Sequence, residues 1–275
     1  MEPFDQHHLD LIGPRWWDLK QALQAEEVKF ALENPFYPSG QLSSHYLLDP
    51  ASVWPAHALE VQPGERVADF CAAPGGKSLA LLFDLQRRLS PTKADFKIEL
   101  HLSDQSLARI KRLKTVLRSY LPESLLSQIQ VWHRDASRWG LHQSSHFDRI
   151  LLDAPCSGER HLLENQGELK KWSKARSKHL QNRQMALLCS ALEVLKPGGR
   201  LVYSTCSVSP LENDQLVKRF LKKRRNRVLV LDSFPQPDFA EKTEFGYQIW
   251  PDLPPFAGPI YYCALTKAPD DSTAP

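Results

Sequence analysis

The feature that most constrains the fold is a regular alternation of strand-like and helical segments that begins near Val61. Seven segments are predicted to be strands: Arg66–Phe70, Phe96–Leu102, Ile129–His133, Phe147–Asp153, Arg200–Ser204, Val228–Leu231 and Ile260–Thr266. Helical spacing lies between them, at Lys77–Leu89, Ser106–Tyr120, Ser177–Leu195 and Leu211–Arg225. This alternation predicts an α/β fold in which a mostly parallel, seven-stranded sheet carries helices on both faces.

The chain length of 275 residues allows one large domain preceded by a short segment. Residues 1–60 show only short helical stretches, the clearest at Arg15–Leu32, and we expect them to form an N-terminal extension that packs on the main domain. The main domain is predicted to span residues 61–267. The polar residues 268–275 are predicted to form a flexible tail.

Composition and cysteine spacing exclude several classes of protein. No run approaches the roughly 18 apolar residues that a membrane span needs, so we expect no membrane association. Five cysteines without CxxC spacing suggest neither a disulfide framework nor a zinc site, so no metal is expected. The acidic, polar start of the chain is unlike a signal peptide, and together with the cysteine usage it predicts a reducing, cytoplasmic location.

A glycine-containing loop follows the first predicted strand. Its glycines let backbone N–H groups approach a ligand, and the helix N-terminus beside them favours an anionic group. The spacing matches neither a Walker A loop nor the G-x-G-x-x-G motif of nicotinamide enzymes. Unless the glycines merely form a turn, the loop is a candidate for cofactor binding, and its residues are Cys71, Ala72, Ala73, Pro74, Gly75, Gly76 and Lys77.

Acidic residues follow the next three predicted strands, namely Asp104, Asp135 and Asp153. Each alone is explained as well by helix capping or by a solvated loop. Together they form an ordered set along the edge of the sheet where parallel sheets bind ligands. So many carboxylates repel phosphates but suit a nucleoside that carries positive charge. S-adenosylmethionine, with its sulfonium and its amino acid end, fits that description.

Two cysteines lie at the ends of neighbouring strand candidates, Cys156 in Asp-Ala-Pro-Cys-Ser-Gly and Cys206 in Ser-Thr-Cys-Ser. Free cysteines are usually small buried apolar residues, but these two are predicted to lie in loops at the ligand-binding edge. A thiolate is a soft nucleophile. Its addition to C6 of cytosine makes C5 nucleophilic, and a second thiol or polar group assists the later release. The pair therefore suits methylation of cytosine at C5.

Three segments carry a resemblance to a known family: DFCAAPGGKS at 69–78, LLDAPCSGERH at 151–161 and LVYSTCSVSPLEND at 201–214. They resemble the Sun/RsmB-type RNA cytosine-C5 methyltransferases, and the similarity extends from about Tyr46 to the end. The segments at 15–23 and 256–265 look most like the mitochondrial small-subunit rRNA member. The resemblance implies a Rossmann-like, S-adenosylmethionine-dependent methyltransferase domain, and it favours small-subunit rRNA as the substrate.

The resemblance also implies residue roles. The loop from Cys71 to Lys77 would hold the methionine part of the cofactor, while Asp104 would bind the ribose and Asp135 the adenine. Asp153 would lie near the sulfonium and the cytosine. In the family the nucleophile is the cysteine of the Thr-Cys motif, which implies a covalent adduct of Cys206 with cytosine C6. Cys156 would assist release, although Asp153 or water could equally accept the C5 proton.

RNA contacts are expected near the Cys156 loop. Basic runs are often only solvated helix faces, but one follows this loop and contains an aromatic side chain that could stack on a base. The candidate RNA-binding residues are Arg160, Lys170, Lys171, Trp172 and Lys174. The target base must leave its stack to reach a cysteine at a strand end, which favours single-stranded or loop RNA. A partner protein or a ribosomal particle is expected to help supply specificity.

Three alternatives stay open at this point. The RNA could be tRNA rather than rRNA. The enzyme could methylate nitrogen or oxygen, which needs no thiol. The chain could also be a non-catalytic RNA-binding assembly factor on the same fold, which would bind RNA but not the cofactor.

Overall fold

The computed structural model describes residues 1–37, 41, 43–89, 96–141 and 143–269. Ten helices are assigned within these ranges: α1 (Pro3–Ile12), α2 (Trp16–Gln24), α3 (Trp54–Ala58), α4 (Gly76–Arg88), α5 (Leu107–Tyr120), α6 (Glu123–Leu126), α7 (Glu159–Glu164), α8 (Gln166–Leu169), α9 (Lys174–Val194) and α10 (Asp214–Lys223). Short 3₁₀ helices cover Gly13–Arg15, Pro50–Val53 and Ala136–Leu141. Most of the predicted tail, residues 270–275, lies outside the described residues.

The same ranges contain eleven strands: β1 (Phe30–Glu33), β2 (His45–Leu48), β3 (Arg66–Phe70), β4 (Glu99–Asp104), β5 (Ile129–His133), β6 (Phe147–Asp153), β7 (Leu195–Thr205), β8 (Val228–Val230), β9 (Glu241–Lys242), β10 (Tyr247–Ile249) and β11 (Ile260–Lys267). Strands β1 and β2 form a separate antiparallel pair. The other nine form one sheet in the order β5-β4-β3-β6-β7-β11-β10-β9, with β8 paired to β11.

The predicted α/β fold is confirmed. Strands β5, β4, β3, β6 and β7 are parallel, and the antiparallel strand β11 follows β7. All seven predicted strands belong to the sheet, and β9 and β10 make it nine-stranded. These two strands have only two and three residues, too few to show an alternating pattern in the sequence.

The strand order places the site. Strand β3 lies between β4 and β6, so the connections leave it in opposite directions and open a crevice at the carboxyl ends of the strands. Alternate residues of β3 face opposite layers, because Val67 joins the apolar cluster with α4 and α5, whereas Ala68 and Phe70 join the cluster with α9 and α10. With both faces covered by helices, ligands can reach the sheet only along its edges.

The N-terminal residues form a third apolar cluster. Phe4, Trp16 and Leu19 pack there against Leu162 and Leu163 of α7. The predicted helix over Arg15–Leu32 is wrong beyond Gln24, because the backbone turns to an extended conformation at Ala25. Strand β1 then pairs with β2, a contact between distant residues that helical spacing in one segment cannot reveal.

None of the helices in the described ranges is both long enough and apolar enough to cross a membrane.

Candidate active site

The loop after β3 is shaped by two left-handed residues. Cys71 has φ +66° and Gly75 has φ +118°, and helix α4 begins directly after Gly75. A Cβ atom on Gly75 would lie 2.9 Å from Cδ1 of Leu113, so a side chain there would meet helix α5 as well as backbone strain. No side chain of the described residues caps the N-terminus of α4. Its first N–H groups are thus available to a ligand.

A cavity of about 350 Å³ lies against this loop, and we call it the loop cavity. Its walls include Asp69, Ala72, Ala73, Pro74, Gly76, Lys77 and Asp153, with Tyr46 and Asp49 from the N-terminal residues. Burial raises the pKa of Asp69 to about 7, although Ser78 donates a hydrogen bond of 2.6 Å to its carboxylate. The other oxygen of Asp69, Oδ1, is buried without a hydrogen-bond partner among the described residues.

Lys77 and Asp153 form an ion pair across the site. Nζ of Lys77 lies 2.8 Å from Oδ2 of Asp153, and Oγ of Ser204 donates to Oδ1 at 2.9 Å. Burial opposes the charged form of Lys77, yet the pKa of its ammonium lies above its usual value because of the Asp153 carboxylate. Lys77 therefore helps to orient Asp153, and the carboxylate of Asp153 already balances the positive charge of Lys77 before any ligand binds.

The other two predicted acids lie along the same edge. Asp104 is buried, and its carboxylate accepts from the backbone N–H of Ser106 at 2.8 Å and lies 3.2 Å from Nη1 of Arg109. Arg109 also donates to the carbonyl of Ala73, which ties helix α5 to the loop. Asp135 accepts from the backbone N–H of Ser137 at 3.0 Å. Each acid thus caps a turn and also faces a cavity.

A second cavity of about 360 Å³, which we call the cysteine cavity, extends from Asp104 and Asp135 to Cys156 and Cys206. Cys71 and Asp153 line both cavities, so the two cavities adjoin beside β3 and β6. The Sγ atoms of Cys156 and Cys206 lie 2.7 Å apart, and both thiols are free. The structure therefore brings the two thiols together within reach of the glycine loop.

The two thiols differ in environment. Cys206 is exposed, whereas Cys156 is partly buried. Contact with Cys206 raises the pKa of Cys156 well above its usual value, and burial raises it further. Cys156 therefore holds its proton more tightly than an ordinary thiol, and it can donate a hydrogen bond to the sulfur of Cys206.

Comparison with known proteins now places the chain. The profile of the family described as "16S rRNA methyltransferase RsmB/F" matches residues 56–266. The chain belongs to the RsmB/F family. The predicted resemblance to Sun/RsmB-type proteins is thereby confirmed.

Two relatives and one solved structure illustrate the similarity. The mouse 5-cytosine rRNA methyltransferase NSUN4 is 35% identical over 246 residues, which cover 83% of this chain and 61% of that protein. The mouse mitochondrial tRNA (cytosine(34)-C(5))-methyltransferase is 34% identical over 239 residues, 84% of this chain and 66% of that protein. A methyltransferase homologue from Pyrococcus horikoshii superimposes with a TM-score of 0.70 at 24% identity, covering 96% of this chain and 94% of that one.

Two facts follow from these comparisons. The chain spans about three fifths of the length of the NSUN4 relatives that it matches. The prediction of a cytoplasmic location is wrong, because a relative that covers 84% of this chain is mitochondrial by name and so points to a different compartment.

Two predicted RNA contacts have other partners in this RsmB/F member. Arg160 donates to the carbonyls of Leu23, Ala25 and Gly258 at 2.9–3.2 Å, so its guanidinium anchors the segment after α2. Trp172 packs edge-on against Phe4 at 5.4 Å between ring centroids. Both residues stay predicted RNA contacts, although sequence spacing could not show that residues 4–25 fold over the segment after Cys156.

The remaining predicted contacts are exposed lysines on or before helix α9. Lys170, Lys171 and Lys174 face solvent, and Lys171 pairs with Glu168 at 3.0 Å. Residues that our sequence analysis missed lie closer to the thiols. Arg134, Arg176, Arg183 and His161 line the cysteine cavity. Arg183 appeared in the sequence only as one basic residue within a long helix, with no local signal of its position.

One group of residues in the described ranges could present metal-ligand atoms. Glu99, His101 and His146 bring such atoms within 4.8 Å of one another at the amino ends of β4 and β6. Arg66 contacts both Glu99, at 2.7 Å, and His146, at 3.3 Å. This arginine supplies the positive charge that the carboxylate needs, so the group is explained as an ionic cluster away from the thiols.

Proposed function

We propose that this chain is an S-adenosylmethionine-dependent RNA (cytosine-5)-methyltransferase that acts on small-subunit rRNA. Its methyltransferase domain would span residues 61–267, and residues 1–60 would be an extension that packs on it. The observation that carries the proposal is the pair of free thiols, 2.7 Å apart, in a cavity that opens onto the glycine loop. Membership of the RsmB/F family supports the same reaction.

The two cavities suit the cofactor. The N-terminus of α4, which no side chain of the described residues caps, lies in the loop cavity and fits the carboxylate of a methionine moiety. Asp69 lines the same cavity, and its Oδ1 has no hydrogen-bond partner among the described residues. Asp104 and Asp135 supply acceptors for ribose hydroxyls and an adenine amino group at the other end. S-adenosylmethionine, when bound, supplies an electrophilic methyl group beside Asp153.

Different residues of the chain would carry out different steps of the reaction. The Cys206 thiolate would add to cytosine C6 as a C–S bond forms, and the ring electrons would move toward C5. C5 would then take the methyl group as the bond between the methyl carbon and the cofactor sulfur breaks, which would leave the cofactor as a neutral thioether. The proton on C5 must then leave to Cys156, Asp153 or water. The C5–C6 double bond re-forms as the C–S bond breaks, and Cys206 leaves as a thiolate. Lys77 and Ser204 hold Asp153 in place throughout.

RNA phosphates would meet the arginines of the cysteine cavity. Nε of Arg183 has no hydrogen-bond partner among the described residues, and Arg134 and Arg176 are exposed at the same cavity. Guanidinium groups bind phosphate bidentately. Weaker contacts with phosphates would come from exposed lysines, whose charges are screened by solvent: Lys170, Lys171 and Lys174.

Substitution of the two cysteines tests the proposal. Cys206→Ala should abolish methyl transfer to rRNA while cofactor binding persists. Cys156→Ala should accumulate a covalent protein–RNA adduct through Cys206. Cys189→Ala is the matched control, because this half-buried thiol of α9 lies outside both cavities. Wild-type turnover by Cys206→Ala would refute the mechanism. Absence of an adduct with active protein would remove the release role of Cys156.

A tRNA substrate is the second candidate, because one relative is a tRNA (cytosine(34)-C(5))-methyltransferase by name. Bisulfite sequencing of total RNA from cells with and without this protein separates the two, since the lost methylcytosine identifies the RNA and the position. We also propose that a partner protein or a ribosomal particle contributes specificity. Faster methylation of a ribosomal subunit than of the same naked rRNA would support that role, and equal rates would oppose it.

A further inference from the structure

Two fully buried carboxyl groups lie behind the paired thiols. Glu159, the first residue of α7, and Glu212, which precedes α10, both have no exposed surface. Neither takes part in the chemistry proposed above. Buried carboxylates are costly unless every oxygen is hydrogen-bonded, so their partners indicate what they hold in place.

Their partners are the residues next to the two cysteines. Oε1 of Glu159 accepts from Oγ of Ser207, which follows Cys206, at 2.8 Å and from Oγ of Ser157, which follows Cys156, at 3.1 Å. Its second oxygen accepts from the backbone N–H of Val208 at 3.4 Å. One carboxylate thus ties the loop after β6 to the loop after β7.

Glu212 secures the Cys156 loop from its other side. Oε2 of Glu212 accepts from the backbone N–H of Ser157 at 3.0 Å and from Nε2 of Gln184 at 2.7 Å. Gln184 in turn donates to the carbonyl of Pro155 at 3.0 Å. Both neighbours of Cys156 are therefore fixed by buried side chains, whereas the thiol itself faces the cavity.

A side chain of the N-terminal helix α1 contacts Glu159. Nε2 of His8, on α1, lies 3.6 Å from Oε1 of Glu159, and both side chains are buried. Nδ1 of His8 lies 2.8 Å from the carbonyl of Phe4, and a carbonyl can only accept, so Nδ1 carries a proton. Nε2 is then the ring nitrogen that faces the carboxyl group of Glu159.

Electrostatics agree with this arrangement. Burial opposes the Glu159 carboxylate, yet its pKa is lowered because His8 and Ser207 contact it. Burial and the neighbouring Glu159 raise the pKa of Glu212 to about 7. Ser157 has a single hydroxyl proton and lies within hydrogen-bond distance of both carboxyl groups. A proton on Glu212 completes the set when Ser157 donates to Glu159.

We propose that Glu159, held by His8 of the N-terminal helix, is a positioning residue that fixes the spacing of Cys156 and Cys206. The proposal rests on the function proposed above for the two thiols. It makes α1 a required part of the active site, because the imidazole that holds Glu159 comes from a segment outside the methyltransferase sheet. The aromatic stack of His8 on Trp16, 4.3 Å between ring centroids, keeps the imidazole in place.

The test compares His8→Phe with His8→Gln. Phenylalanine keeps the ring that packs on Trp16 but offers nothing to Glu159, whereas the Nε2 of glutamine can still donate. Asp5→Asn is the matched control: it weakens the contact of α1 with Lys20, whose Nζ lies 2.8 Å from Asp5. The amide oxygen of asparagine can still accept the hydrogen bond that Nε1 of Trp16 donates to Oδ1 at 3.0 Å, so the ring that stacks on His8 is kept in place. Glu159→Gln provides a second route, since it removes the charge and keeps the size.

Two readouts are needed. The first is the rate at which iodoacetamide alkylates Cys206 without RNA, which reports the thiol pair independently of methyl transfer. The second is kcat and KM for rRNA. For His8→Phe and Glu159→Gln we expect alkylation to slow about tenfold, because the Cys156 donor moves away from the Cys206 thiolate. We expect kcat to fall about tenfold to a hundredfold with little change in KM. His8→Gln should recover most of both, and Asp5→Asn should change neither.

Distinct outcomes separate the two proposals. Unchanged alkylation in folded His8→Phe and Glu159→Gln overturns the positioning role, whatever happens to methyl transfer. Equal losses in Asp5→Asn and His8→Phe also overturn it, because general loosening of α1 would then be the cause. If wild-type protein shows no methyl transfer but the alkylation pattern is as expected, the proposed reaction fails and the positioning role stands.

Discussion

The loop cavity and the cysteine cavity share Cys71 and Asp153 but differ in what fixes their walls. The loop cavity is shaped by backbone, through the left-handed residues Cys71 and Gly75 and the start of α4. The cysteine cavity is shaped by buried side chains, above all Glu159 and Glu212. The comparison teaches that the proposed cofactor end depends on a short local motif, while the reactive end depends on contacts between segments far apart in the chain.

The largest effect is expected at Asp153, which lines both cavities and should therefore affect both. Asp153→Asn leaves Lys77 without its partner and weakens the contact with Ser204. We expect kcat/KM to fall about a hundredfold or more, because an unpaired buried charge costs several kcal/mol. Both cofactor affinity and Cys206 alkylation should change, as measured by calorimetry and mass spectrometry.

The matched control for this substitution is Asp148→Asn on the same strand, which breaks an ion pair of 2.7 Å with Lys196 at the opposite end. It should lower only stability, and by about 1 kcal/mol or less. Equal effects of the two substitutions on catalysis would contradict the junction role of Asp153.

A glycine substitution separates the two cavities. Gly75→Ala strains a φ of +118° and pushes a Cβ atom against Leu113, so cofactor affinity should fall about tenfold and thiol alkylation should stay near wild type. Gly64→Ala is the control, because φ is +84° there and no atom of the described residues lies within 4 Å of the added Cβ atom. Calorimetric titration with S-adenosylmethionine measures the difference. A similar loss of affinity in both variants would mean that backbone shape at the loop does not govern binding.

Substitutions at two arginines distinguish a role in RNA binding from a role in anchoring the N-terminal residues. Arg183→Gln should raise KM for RNA several-fold and reduce the salt dependence of binding by about 0.7 in log–log slope, since one phosphate contact is lost. Arg160→Gln should lower thermal stability but keep that slope, because its partners are backbone carbonyls. Fluorescence anisotropy across a salt series is the measurement. A reduced slope for Arg160→Gln would show that this residue also contacts RNA.

The last prediction concerns the pH dependence of stability and not activity. Glu212 has a folded pKa of about 7 against a usual value of 4.5, so the folded state binds the proton more tightly. Its contribution to stability is fully present below pH 4.5 and is lost as pH rises through about 7, at up to about 1.4 kcal/mol per pH unit. The glutamine in Glu212→Gln cannot titrate. The denaturation midpoint of this variant should therefore rise relative to that of the wild type as the pH increases from about 5 to about 7. Parallel pH profiles for the two proteins would contradict the assignment.

The same difference, between features set by a local motif and features set by distant contacts, explains what could be predicted from the sequence. The acids and cysteines at the ends of β4, β5, β6 and β7 could be placed together because parallel strands present their carboxyl ends at one edge. The contact of His8 with Glu159 could not, since 150 residues separate them and neither has a local signature. The contacts of Arg160 and Trp172 with the N-terminal residues could not be predicted for the same reason. Strand β1 was missed because only its pairing with β2 identifies it.

The antiparallel strand β11 has a consequence for incomplete proteins. It pairs with six residues of β7, the strand that leads to Cys206. A chain whose synthesis stops before residue 260 would therefore leave the backbone of β7 as an open edge, ready to join other chains. Pairing of β11 therefore protects the edge of the strand that carries Cys206 at its end.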